Sequence, residues 1–518
     1  MTETITGTDR SAGVAYSKLL EEDTHPVSDS LRAESPMATG NLRVPASVYT
    51  SKAFHDLEVE RLWTRVWQLA CHEDEIPEVG DYHVYDIAHL SFLVVRTGEG
   101  PDDIKAYRNA CLHRGRLLRE RAGRGAANLR CPFHGWCWNL DGSLKEIPCE
   151  WDFPELDKGD YDLPEASVGR WGGLVFINPD RDARPLGEHL VGLAEHFAPL
   201  PYEKKFKAVH VAKVIRCNWK VCQEAFMEAY HVVATHATLL ETLGDANTAY
   251  DVFGNFSRAI SPNGVRSPHL AGRPEYGQPE DARIYSKFRH PMSGHTYARK
   301  KPGFVEVTDA EGQASVFTDQ GDWVEGPLTQ ADPHLCLWIG GEQLPGEEDP
   351  PVREPRVPEG KTLRAHLAEK ERERLRAQYG DTLDLASVAD AELIDSIYFS
   401  VFPNWHPWGS FNLINYRFRP NGDNPDESIF EVMLFVPSPT GENRPPPAKV
   451  HWLEPDQDWT EAPELGQLAK IFNQDTFNLP KVQLGLKAQE QQEVVFASYN
   501  ETKLRHFHEL LQRWVGEV

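Results

Sequence analysis

The chain predicts an α+β protein of two domains, an all-β unit first and then a larger unit in which strands are closed by helices. Three observations carry this. From about residue 72 to 180, short apolar runs alternate with Gly, Pro and Asp, the pattern of many short strands parted by turns. In the second half, strand-like runs recur at 208–215, 397–402, 410–418 and 429–436, and helical runs close the chain at 465–488 and 500–514. A length of 518 residues is more than one core holds comfortably, so two or three domains are expected.

Taken in order, residues 1–45 are polar, with scattered Ser, Thr, Pro and Gly, and read as a flexible arm. Residues 46–205 form the first domain. It opens with Phe54, Leu57, Val59, Leu62, Trp63, Val66 and Trp67 at helical spacing and continues through the strand-like runs 82–85, 91–95 and 173–177. Residues 206–518 form the second domain. After its first strand, 218–231 reads as one helix. The stretch from about 258 to 360 is polar and rich in Pro and Gly, and reads as loop or insertion. Residues 361–379, rich in Arg, Glu, Ala and Leu, predict another helix.

Two segments carry the strongest chemical signal. Cys111-Leu112-His113 and Cys131-Pro132-Phe133-His134 each place a His within three residues of a Cys, with seventeen residues between His113 and Cys131. Two thiolates and two imidazoles are the ligand set of a Rieske [2Fe–2S] cluster, in which the Cys pair holds one iron and the His pair the other. A Cys₂His₂ zinc site is the rival, but zinc sites usually pair Cys with Cys and His with His along the chain. Four unrelated core residues in this pattern are less expected still.

A second metal site is suggested by Glu228, His231 and His236. Two His and a carboxylate make the facial triad of non-haem Fe(II) sites that activate O₂. Residues 228 and 231 share a helix face. Residues 231 and 236 lie about 140° apart on an ideal helix, so the helix must end or bulge before His236. The carboxylate is open on spacing alone between Glu228, Asp423, Asp426 and Asp475. Taken alone, His231 and His236 read more readily as a pair of hydrogen-bonded core histidines; beside an electron-carrying cluster the balance reverses and they read as its acceptor site.

The bulk numbers agree. Composition, 40% hydrophobic and 26% charged, is that of a soluble globular protein. A formal net charge of −25 argues against nucleic acid, which demands a basic face. Met1 to Ile5 lack a basic n-region, so no secretory signal is expected, and no apolar run approaches the roughly 18 residues of a membrane span. Six of the eight Cys lie outside the cluster segments without disulfide-like spacing, which points to a reducing cytoplasm.

With these residues in place, the chain resembles the large α subunit of the Rieske non-haem iron oxygenases, the aromatic-ring-hydroxylating oxygenases, over roughly residues 50–515. The resemblance rests on the two cluster segments, on Asn218-Trp219-Lys220, Glu228-Ala229-Tyr230-His231 and His236, on Phe402-Pro403-Asn404, and on Asp475 followed by Gln483 and Gly485. It implies a catalytic domain of helix-grip type, an antiparallel sheet covered by helices. It selects Asp475 as the third iron ligand. It gives Glu228 a bridging role, between His231 and a cluster histidine, His134, of the neighbouring subunit. It implies a homotrimer or homohexamer. Many ring dioxygenases carry Asp where this chain has Glu228, and Asn where it has Glu224-Ala225; the Glu resembles the branch that includes carnitine and betaine-type oxygenases.

Reductive O₂ activation needs two electrons, one from the mononuclear Fe(II) and one from the cluster. The chain has neither a Gly-x-Gly-x-x-Gly fingerprint nor a plant-type Cys-x₄-Cys-x₂-Cys motif. NAD(P)H and flavin chemistry is therefore expected on a separate reductase, with or without a ferredoxin. Phe226, Met227, Phe402, Trp405, Trp408 and Phe411 are candidates to wall an apolar substrate pocket. A hydrophobic, aromatic or alicyclic substrate is expected, with a methylated ammonium compound as the alternative through cation–π attraction. A Rieske electron carrier without oxygenase activity is the third reading.

Overall fold

Leu90–Arg96 shows why the first domain reads as runs of apolar residues. Its side chains alternate between two cores: Phe92 and Val94 face one, Leu93 and Val95 the other. In this computed structural model, which describes residues 13–36, 40–346, 348–353, 356–438 and 444–516, that strand lies in a six-stranded antiparallel sheet. The order is Gln68–His72, Leu174–Asn178, Glu165–Trp171, Ile104–Arg108, Leu90–Arg96, Tyr82–Ile87. A smaller sheet of Leu129–Arg130, Cys137–Trp138 and Leu144–Glu146 carries the second cluster segment.

The helical run that opens this domain forms as Lys52–Glu58, capped by the Ser51 hydroxyl, and ends in a π-turn, Val59–Trp63. It buries Phe54, Val59, Leu62 and Trp63. The arm departs from expectation over its described part. Tyr16–Glu21 is a helix with Tyr16, Leu19 and Leu20 buried, and the Tyr16 hydroxyl donates to Asp395 at 2.9 Å. Arg258 donates to the carbonyls of Ser30 and Ala33, so this segment is strapped to the second domain. Its apolar side chains are too few and too far apart to stand out in a polar stretch. Residues 1–12 and 37–39 of the arm lie outside the described residues.

The second domain is built on an eight-stranded sheet. Its order is Ala249–Phe253, Phe256–Ser261, Ser396–Val401, Trp405–Pro407, Ile414–Asn421, Asn424–Pro437, Lys205–Ile215, His451–Leu453. All neighbours are antiparallel save the last, where His451–Leu453 runs parallel to Lys205–Ile215. The helices Trp219–Glu224, Leu468–Ala488 and Thr502–Val515 pack over it. On Leu468–Ala488 the buried positions Phe472, Asp475, Leu479, Gln483 and Leu486 recur at three- and four-residue steps, one helix face turned inward.

Two further expectations are corrected. The stretch 258–360 is not mainly loop: it holds a five-stranded antiparallel sheet, from Lys287–Arg289 to Trp323–Glu325, and a helix, Pro333–Gly340. Its strands bury Tyr297, Val305, Val307 and Phe317 on alternate positions, a signal diluted by polar residues on the other face. The helix expected over 218–231 stops at Glu224.

Candidate metal centres

The two cluster segments fold alike. In each, the Cys carbonyl accepts the N–H of the residue four ahead, Gly115 to Cys111 at 2.9 Å and Gly135 to Cys131 at 3.1 Å. In each, the Cys N–H donates to the carbonyl five ahead, Arg116 and Trp136. Both glycines have φ near +80°, a conformation a side chain disfavours. The two loops bring the rings of His113 and His134 to 4.7 Å, and the thiols of Cys111 and Cys131 into contact, both buried. His113 stacks on Trp136, with centroids 5.2 Å apart and planes 4° apart. Its Nδ1 is buried with no hydrogen-bond partner among the described residues, a lone pair left for a metal. Burial, with His134 and Arg114 adding to it, lowers the His113 pKa and favours the neutral form that a metal requires. The donor set and this orphaned nitrogen fit a Rieske cluster.

The second site grows from Asn218. Its side chain caps Trp219–Glu224 by accepting the Lys220 N–H at 3.1 Å, and its own N–H donates to Gln483 at 3.0 Å. Lys220 and Trp219 both bond Glu58 of the first domain, at 2.6 and 3.2 Å. Past Glu224 the chain leaves helical geometry, and the Tyr250 hydroxyl accepts the Ala229 N–H at 2.9 Å. A short helix, Val232–Thr235, then separates the two histidines; His231 stands before it, and His236 ends it at φ −121°, ψ 59°. That break is what lets residues five apart face one point.

There they meet Asp475. His236 Nε2 lies 2.8 Å from Asp475 Oδ1 and His231 Nε2 lies 3.6 Å from the same atom. The ligand atoms of the three residues lie within 4.8 Å of one another, close enough for one ion. Each imidazole gives its other nitrogen's proton to an acceptor: His231 Nδ1 to Glu228 Oε1 at 2.6 Å, His236 Nδ1 to Gln474 Oε1 at 2.9 Å. Both Nε2 lone pairs are thereby turned to the metal position. Burial lowers the His231 pKa, but the Glu228 carboxylate outweighs it and lifts it to about 9. A metal binding here would displace the proton that this raised pKa leaves on His231, and two imidazole nitrogens with one carboxylate then fit non-haem Fe(II). Leu240, Leu243, Leu270 and Val232 form an apolar cluster beside the site.

Of the expected residues, Cys111, His113, Cys131 and His134 come together, as do Glu228, His231, His236 and Asp475. Asp423 and Asp426 lie apart from them in the hairpin between Ile414–Asn421 and Asn424–Pro437, Asp423 bonded to His89 and Asp426 to Gln483. The aromatic set does not wall one pocket. Phe226 packs on Tyr416, Phe418, Phe430 and Phe472 inside the sheet–helix core. Trp405 packs on Trp171 and Phe176 of the first domain, and Phe411 joins Leu375 and Leu385. The reason is their different settings: Trp405 lies in a strand and turns to the first domain, whereas Phe226 and Phe411 lie in connections that pack into other cores. Gln474 was missed, although it directly precedes Asp475.

Comparison with known proteins agrees with this geometry. Residues 66–157 match the family described as the Rieske [2Fe-2S] domain. Residues 196–301 and 343–517, more than half of the chain, match the ring hydroxylating alpha subunit (catalytic domain). The choline monooxygenase of Beta vulgaris is 31% identical over 38% of this chain and 44% of its own length. The anthranilate 1,2-dioxygenase large subunit of Acinetobacter baylyi is 30% identical over 39% and 44%. The alignment thus spans less than half the length of these curated relatives. A naphthalene 1,2-dioxygenase structure shares the fold, with a TM-score of 0.53 at 19% identity over 94% of each chain. Two metal sites of this build, on two domains each matched in turn, place the chain in the family of ring-hydroxylating α subunits with a Rieske domain.

Proposed function

We propose that this chain is the terminal oxygenase of a multicomponent system, which uses O₂ and electrons from a separate NAD(P)H-dependent reductase to hydroxylate a hydrophobic, aromatic or alicyclic substrate. The carrying observation is the convergence of His231, His236 and Asp475 in a chain that also presents the Rieske ligand set. The cluster supplies one-electron storage and the mononuclear iron supplies O₂ activation when bound. The protein's part is to hold and orient them. Glu228 keeps the proton on His231 Nδ1, Gln474 does so for His236, and Asp475 supplies the anionic oxygen.

Glu228 serves in this reading as the electron bridge from the neighbouring subunit's cluster. A cavity of about 190 Å³ opens over it, lined by Val221, Ala225, Leu479, Val482 and Leu486. The facing partner would be a cluster tip, where Phe133 is 57% exposed beside His134. Residues 111–135 hold six arginines and one glutamate in a chain of net charge −25, whereas Glu224, Glu228 and Glu501 line the cavity. Such complementarity supports a ring of three, single or stacked. No disulfide forms among the described residues, which supports a cytoplasmic setting, and no described helix is long and apolar enough to cross a membrane.

A second reading, oxidation of a methylated quaternary amine, is favoured by glutamate at position 228 and by relatives that include choline monooxygenases. One experiment covers these readings. The purified chain, with a surrogate reductase, is screened for NAD(P)H-dependent O₂ consumption on aromatic acids, steroids, terpenoids and betaines. We expect about three Fe per chain and consumption coupled to one substrate class. About two Fe and no coupled consumption would leave an electron carrier.

A further inference from the structure

The match to the catalytic family covers both sides of residues 302–342 but not that segment itself. Yet the segment reaches an iron ligand. Its helix, Pro333–Gly340, packs against Val232–Thr235 between the two histidines and against Leu468–Ala488. There the Gln474 side chain bonds on both sides. Its Nε2 donates to the backbone carbonyl of His334 at 3.0 Å, and its Oε1 accepts from His236 Nδ1 at 2.9 Å. Gln474, His236 and His334 are all buried.

We propose that this segment sets the tautomer and aim of His236 through Gln474, which makes Gln474 a positioning residue for the mononuclear iron. The proposal rests on the oxygenase reading in taking His236 as an iron ligand. A backbone carbonyl can only accept, so it must face the amide nitrogen. The reverse orientation would set two oxygens against each other about 3 Å apart with no water between them. With Nε2 committed, Oε1 is the atom that faces His236. An amide oxygen can only accept, so His236 Nδ1 carries the proton. With a metal held between Nε2 and Asp475, the lone pair is then on Nε2; without one, the 2.8 Å contact to Asp475 Oδ1 is a hydrogen bond.

The carbonyl is itself held in place. Asp332 caps the helix by accepting the N–H groups of His334 and Leu335 at 2.8 and 3.2 Å, with Pro333 at the first position. Asp332 is fixed by His290 Nε2 at 3.1 Å and by donation of its own N–H to the Tyr297 hydroxyl at 2.8 Å. Asn478, one turn after Gln474, donates to His334 Nε2 at 2.9 Å. The chain of contacts thus runs from His290 and Tyr297, beside the segment, through its capped helix to the ligand.

The test compares Fe(II) affinity, the EPR spectrum of the nitric oxide adduct of the mononuclear Fe(II), and the cluster spectrum, in the full-length parent, Gln474→Leu and Asp332→Ala. Gln474→Leu removes both bonds at similar size. It should weaken Fe(II) binding by about 10–100-fold and alter the nitric oxide signal while the cluster spectrum stays unchanged. Asp332→Ala touches neither ligand nor amide, and loosens only the helix start. It should weaken binding in the same direction by a smaller factor, on the order of fivefold. Unchanged affinity and signal in Gln474→Leu beside a three-iron parent would overturn this link and leave the oxygenase reading standing. Weakened binding in Gln474→Leu with none in Asp332→Ala would overturn the segment's part. Should Gln474→Leu lose its cluster through misfolding, Asp332→Ala decides alone. A parent that never takes a third iron would overturn both this inference and the oxygenase reading.

Discussion

Replacing Lys220 by Met tests the buried charge pair that joins the two domains. Lys220 lies in the first turn of Trp219–Glu224 and Glu58 ends Lys52–Glu58; both are 0% exposed and their charged atoms are 2.6 Å apart. Burial pushes the Glu58 pKa up and the Lys220 pKa down, and each partner opposes the other's shift. Without the ammonium, Glu58 keeps, among the described residues, only the Trp219 indole N–H at 3.2 Å. Breaking a buried pair costs about 3–5 kcal/mol, against roughly 0–1 kcal/mol for an exposed one. At about 2.1 cal/mol/K of unfolding entropy per residue, a domain of roughly 300 residues moves by ~1.5 °C per kcal/mol. Lys220→Met should therefore lower the melting temperature of the second domain by about 5–8 °C in calorimetry. Glu58→Leu together with Lys220→Met removes both charges and should recover most of the loss. A single variant within about 1 kcal/mol of the parent, or a double variant no better than the single, would refute the pair's role. The same helix leads into the Glu228–His231 turn, so loosening it should also weaken iron retention.

Further outcomes follow from the two sites. His231→Ala, His236→Ala and Asp475→Ala should each lose the third iron and turnover but keep the cluster spectrum, while Cys131→Ser loses that spectrum; iron analysis and EPR read both. Asp423→Ala and Asp426→Ala should keep the mononuclear iron, and its loss in Asp426→Ala with Asp475→Ala unaffected would reverse the ligand choice. In Glu228→Gln both metals should still bind, but in single-turnover mixing with O₂ and substrate the reduced cluster should stay reduced, because the charged link to His231 is gone. Burial raises the Glu392 pKa from 4.5 to about 7, so the folded state holds its proton where the unfolded state has released it. Stability from this group is full below pH 4.5 and falls as pH rises to about 7, by roughly 3 kcal/mol. Glu392→Gln should flatten that slope in denaturant titrations run at several pH values.

The cluster was legible because its ligands arrive in two pairs, each pair within three residues, so local backbone geometry does most of the assembly. The glycines four residues after each Cys, Gly115 and Gly135, were an available second signal, since both turns require positive φ. The mononuclear site was legible in its histidines but not in its carboxylate. Asp475 comes from a helix more than two hundred residues further on, and four acidic residues fitted on spacing alone; only the resemblance chose among them. Gln474 escaped notice because half its meaning is a carbonyl at His334, and a backbone atom leaves no mark in the sequence. The 218–231 segment mixes good helix formers with Val, Cys, Phe, Tyr and His, and its helix ends at Glu224; a separate break at His236 lets the two histidines face one Asp.

By itself the amino-acid sequence determined the two-domain α+β plan, the donor set of the cluster segments, the two histidines of the second site and the order of the main strands and late helices. These depend on local periodicity and on donor atoms a few residues apart, which short-range geometry constrains. The tertiary structure alone decided the Glu58–Lys220 bond between domains and the dispersal of the aromatic residues among separate cores. It also decided the strapping of the N-terminal segment and the link from the helix Pro333–Gly340 through Gln474 to His236. Each joins groups a hundred or more residues apart or depends on which face of a strand turns inward. Such pairings are set by packing and by the need to satisfy buried polar groups, and neither is expressed in any short window of the chain.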